Sequence, residues 1–96
     1  MGGLLIWERE NDTNMVGKYE YKNGCFKANV KYDHIADQWY VSFSGRMFPN
    51  ETHKDLDKAV DYAEISCSKF ANSVNQVIRN ETKASEAIEK FLESRA

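Results

Sequence analysis

Ninety-six residues, 42% of them hydrophobic and 12% aromatic, supply one small domain with one core. That excludes a disordered tail and the two-lobed architecture that encloses most cofactors. Thirteen Lys and Arg against fifteen Asp and Glu leave a net charge of −2, which removes the simplest ground for a nucleic-acid binder, a large basic excess. Two cysteines, Cys25 and Cys67, are too few for a disulfide-stapled scaffold and read as free thiols of a reducing cytoplasm.

The chain opens Met1-Gly2-Gly3-Leu4-Leu5-Ile6-Trp7, an apolar stretch too short for a secretory core and without a basic lead. Ile6 stands where an N-myristoylation pattern starting at Gly2 wants Ser or Thr. Leu4–Trp7 is expected as an edge strand. No run approaches the length of a membrane span, so the expectation is a cytoplasmic protein with no membrane partner.

Asn23-Gly24 is the favoured pair for a two-residue hairpin turn. A corner there sets Lys22 against Cys25, Tyr21 against Phe26, Glu20 against Lys27 and Tyr19 against Ala28, apolar with apolar and acid with base. The second strand alternates strictly: Phe26, Ala28, Val30 and Tyr32 inward, Lys27, Asn29 and Lys31 outward. After a polar loop at Asp33–Asp37, Trp39, Val41 and Phe43 share a face, and pairing Tyr32 with Trp39 brings Val30 to Val41 and Ala28 to Phe43. Residues 44–49 read either as an extension of this strand through a bulge at Gly45 or as a short fourth strand.

All five glycines lie at or before Gly45 and the only proline is Pro49, so the rear half carries no strong helix breaker. A helix is expected from Thr52, with Thr52 and Asp55 as a capping box and Glu51, Asp55 and Asp57 at the positive end of its dipole. Leu56, Val60, Ala63, Cys67, Phe70, Val74 and Val77 then form a heptad seam. It runs on through Glu81 to Ala84, Ile88 and Phe91, widened by Ala59, Ala71, Ile78 and Leu92.

The expected fold is α+β: a three- to four-stranded antiparallel β-meander packed by a long α-helix and followed by a second C-terminal helical segment. Residues 1–96 form a single domain, β-sheet to about residue 49 and helical from about 52 to 95. The second segment follows from lengths. A seven-residue strand is about 23 Å long, whereas a helix over 52–94 is about 65 Å. The sheet can cover the seam only to about Phe70. Two arrangements would shelter the rest: a fold-back, breaking at Asn80-Glu81-Thr82 or Asn72-Ser73, or a continuous helix that meets a copy of itself or another protein.

No motif identifies a reaction. Asp33, His34 and Asp37 lack a second histidine or a cysteine at ligand spacing, and His53 four residues before Asp57 reads as a surface pair. No phosphate-binding glycine loop is present, so neither catalytic residue, metal nor cofactor is expected. The expected contacts with a protein partner are the acidic start of the helix (Asp55, Asp57, Asp61 and Glu64) and the outrunning seam (Val74, Val77, Ile78, Ile88 and Phe91). The alternative is a nucleic-acid surface on the outer sheet face, with Lys18, Lys22, Lys27, Lys31 and Tyr40. Residues 15–48 hold five basic groups, these four lysines and Arg46, against three acidic ones, Glu20, Asp33 and Asp37.

The hairpin around Asn23-Gly24, the strand Trp39-Tyr40-Val41-Ser42-Phe43 and the helix from Asp55 together resemble small phage-encoded inhibitors, including anti-CRISPR proteins. That resemblance implies a non-enzymatic protein from a phage or mobile element, directed at a host protein or defence nuclease complex. The strand-then-helix order is also similar to the double-stranded-RNA-binding and HicB-like arrangements. The former would need a basic helix start, and here Asp55 and Asp57 offset Lys54 and Lys58.

Overall fold

The computed structural model describes residues 3–22, 24–46 and 48–95. Among them the strands are β1 (Ile6–Asn11), β2 (Asn14–Tyr21), β3 (Gly24–Asp33), β4 (Gln38–Phe43) and β5 (Glu51–His53). They form one antiparallel sheet in the order β1-β2-β3-β4-β5, and a single helix, α1 (Leu56–Arg95), lies across one face. The class is α+β, with five strands rather than three or four.

The β3–β4 register is the expected one: Tyr32 pairs with Trp39, Val30 with Val41 and Ala28 with Phe43. The β2–β3 register differs by two residues. Tyr19 pairs with Phe26 and Tyr21 with Gly24, so Gly24 belongs to the strand. A two-residue shift keeps every side chain on its face, which is why alternation could not distinguish the two solutions. The expected turn residue Asn23, the Gly2 acceptor and the Arg46 side chain lie outside the described residues.

β1 runs over 6–11 instead of 4–7 and is an edge strand, with Glu8, Arg9 and Glu10 as charged guards against further pairing. Trp7 sits opposite Gly17 and lays its indole across it. A β-carbon at Gly17 would stand 3.0 Å from that ring, so the glycine makes room for the tryptophan. After β4, Ser44–Arg46 form one 3-10 turn with Gly45 at φ 79°, a left-handed conformation that glycine adopts without strain.

Thr52 lies in β5, opposite Tyr40, so it does not cap the helix. The cap falls to Asp55, whose carbonyl accepts from Ala59 N at 3.2 Å. The β-sheet part therefore extends to residue 53, past the expected boundary near 49.

The inner face of the sheet buries Phe26, Ala28, Val30, Val41 and Phe43, and α1 answers with Ala59, Ala63, Ser66 and Cys67. Small residues on the helix bring it close to the sheet centre, and aromatics close the sides. Phe26 stacks on Phe70 at 5.0 Å between centroids, Tyr21 meets Phe70 edge-on, and Phe43 packs against Phe48 and Tyr62. Leu56, expected in this layer, is 36% exposed because the docked stripe begins at Ala59.

α1 is one unbroken helix of 40 residues, about 60 Å at 1.5 Å per residue. Among the described residues there is neither the expected second segment nor a fold-back. At Ser73 and Thr82 the hydroxyls bond the carbonyls of Lys69 and Ile78 one turn back, so both stay inside the helix as back-bonded residues instead of capping a break. Among the described residues no helix is long and apolar enough to cross a membrane.

Candidate functional site

The sheet covers α1 only as far as Val74. Beyond it the stripe continues in line with the docked residues, at steps of three and four, through Val77, Glu81, Ala84, Ile88 and Phe91, with Ile78 and Leu92 beside it. These side chains are exposed, Ile88 60%, Phe91 55% and Leu92 61%. Val77 and Ile78 are exposed too, and Val74 is half-buried. Where the helix leaves the sheet, Val74, Val77, Ile78 and Glu81 line a groove of about 250 Å³ whose other wall is Tyr21 and Lys22.

Of the expected protein-contact residues, the five apolar ones thus share one stripe, interrupted by Glu81. The acidic ones divide. Asp57 and Asp61 are exposed, one turn apart on one flank of the helix. Asp55 is the cap residue and lies 3.8 Å from Lys58. Glu64 is turned in beneath β1, accepting from Trp7 Nε1 at 2.9 Å and Leu5 N at 3.4 Å. It ties the edge strand to the helix and leaves the acidic ridge shorter than the sequence implied. A tryptophan N–H without a local acceptor was the only clue to this role.

The lysines of the alternative surface also divide. Lys18 and Lys27 are direct cross-strand partners, and Lys31 pairs with Tyr40, so these four share the outer face. Lys18 reaches Glu8 at 3.6 Å. Lys22 instead sits at the hairpin end beside the helix groove. The outer face is not wholly wet, since Val16 is buried there between its partners Glu8 and Asn29.

The polar loop after β3 is occupied by its own hydrogen bonds. Asp33 Oδ1 accepts from Ile35 N and Ala36 N, and Tyr32 donates to Asp37 Oδ1 at 2.6 Å, which holds the phenol above its usual range. His53 lies 3.1 Å from Glu51, not beside Asp57, because β5 takes both onto the inner face. Tyr62 donates to the Pro49 carbonyl, and burial with the nearby Glu51 charge raises its pKa. Cys67 is fully buried, and burial followed by the Glu64 charge pushes its thiol up to about 11. A thiol so held is protonated at neutral pH and is not an activated nucleophile. Among the described residues no three His, Cys, Asp or Glu side chains stand together as a metal site.

Compared with protein families, with curated proteins and with solved structures, the chain matches none of them.

Proposed function

We propose that the protein acts stoichiometrically by binding another protein, as a small non-enzymatic inhibitor or regulator. In the manner of the phage- and mobile-element-encoded inhibitors it resembles, its target is a host protein or a defence nuclease complex in the host cytoplasm. The observation that carries this reading is the bare half of α1. Leaving a large aliphatic or aromatic side chain in water forgoes about 1.5–3 kcal/mol of burial. Several such residues aligned on one helix face are the mark of a contact surface. Asp57 and Asp61 add a flank of negative charge that suits a basic target.

The test is capture from a lysate of the source cells by the wild-type chain and by Ile88→Lys, which adds a charge where nothing in the fold packs. The reading expects a stoichiometric protein retained by the wild type and lost by the variant at unchanged circular dichroism. Identical retention by both would overturn it.

The uncovered outer face, where Lys18 abuts Lys27 and Lys31 abuts Tyr40, supports a second reading as a nucleic-acid surface. A salt-sensitive mobility shift of labelled DNA or RNA, abolished by Lys27→Glu with Lys31→Glu, would favour it. No shift at low salt would remove it.

A further inference from the structure

We propose that the bare half of α1 pairs with the same segment of a second copy, antiparallel, about a two-fold axis at Glu86. The inference rests on the reading of this segment as a contact surface and names what covers it. Most helical stability in proteins comes from packing of an apolar face, so the segment gains most from a neighbour that presents an equally long apolar strip.

Two charged residues interrupt the stripe, Glu81 within it and Arg95 at its end. They decide the orientation. Side by side and parallel, two copies would set Glu81 against Glu81 and Arg95 against Arg95. Antiparallel and centred on Glu86, each Ala84 meets the partner's Ile88, each Glu81 meets the partner's Phe91, and each Val77 meets the stem of the partner's Arg95. On one flank Ile78 meets the partner's Leu92. The Arg95 guanidinium already lies 4.8 Å over the Phe91 ring, so in this register it stands where the other copy's Glu81 arrives.

A register one heptad deeper would press the helix end into the Tyr21–Phe70 contact, where the sheet already sits. The overlap, residues 77–95, is about 28 Å of helix. Covering that strip on both copies buries on the order of 1,000 Å², the lower limit of a specific interface.

The experiment compares the wild type with Glu81→Arg, Arg95→Glu and the double exchange. Sedimentation equilibrium over about 1–200 μM spans the range in which such an interface dissociates, and circular dichroism checks the fold. A wild-type dimer is expected, weakened roughly tenfold or more by either single change and restored by the double. A wild-type monomer throughout would overturn the proposal, and so would a dimer indifferent to the exchanges, since a parallel pair would not distinguish them. The two readings fail separately: the mass judges self-pairing, whereas the contact-surface reading falls if Ile88→Lys alters neither the mass nor what the lysate yields.

Discussion

Trp7 brings a polar indole N–H to the boundary between β1 and α1, and the Glu64 carboxylate satisfies it together with the Leu5 amide. Hydrogen bonds to a charged group contribute about 1.5–3 kcal/mol each, so Glu64→Ala should lower the urea stability by roughly that amount and shift the tryptophan emission. Gly17→Ala should cost about 1–3 kcal/mol in the same assay, because its β-carbon meets Trp7 and Leu5 at 3.0–3.1 Å. The two cysteines should separate chemically. Iodoacetamide should label half-buried Cys25 and spare Cys67, read by intact mass. Cys67 also sets an alkaline limit. From its ordinary 9.0 to about 11 the unfolded chain has released the thiol proton while the folded chain keeps it, so stability is full below that window and falls as pH rises through it. Tyr62, likewise raised, adds a loss in the same direction above 10.0. Urea midpoints measured across the window should fall steadily, and less so in Cys67→Ala.

At the scale of elements, α1 has two halves with different mechanical support. Ala63→Pro should unfold the molecule, since it breaks the helix where it is docked and fully buried. Ala84→Pro should remove helical ellipticity while leaving the tryptophan-monitored sheet transition in place. The legibility of each element follows the same division between buried and uncovered. Strands β3 and β4 could be read to the residue because Val30–Val41 and Ala28–Phe43 are buried pairs that tolerate one register only. The β2–β3 pair was legible only to the face, because Tyr19 and Tyr21 are interchangeable partners for Phe26. β1 escaped definition since Glu8-Arg9-Glu10 breaks the apolar alternation along it, and β5 because Glu-Thr-His reads equally well as an acidic helix start. Asp55 displaced Thr52 as cap for the same reason: pairing with Tyr40 drew Thr52 into the sheet. The apolar half of the candidate site was fully legible as a periodic stripe. Its acidic half was not, since nothing near Glu64 in sequence reveals that Trp7 is waiting for it.

Taken as a whole molecule, the chain is a sheet-and-helix head carrying a rod, and it measures 69 × 24 × 21 Å. Its radius of gyration is 18.8 Å, whereas a compact chain of this length would have about 12–13 Å. Friction follows shape as well as mass, so one copy alone should leave a gel-filtration column ahead of globular standards of equal weight and pass there for a larger species. Two copies joined tip to tail would carry their heads at opposite ends, a dumb-bell with two identical faces turned outward. The acidic flank at Asp57 and Asp61 would then be presented once at each end, and a target displaying paired basic sites at that spacing would be held with far greater avidity than one flank alone provides.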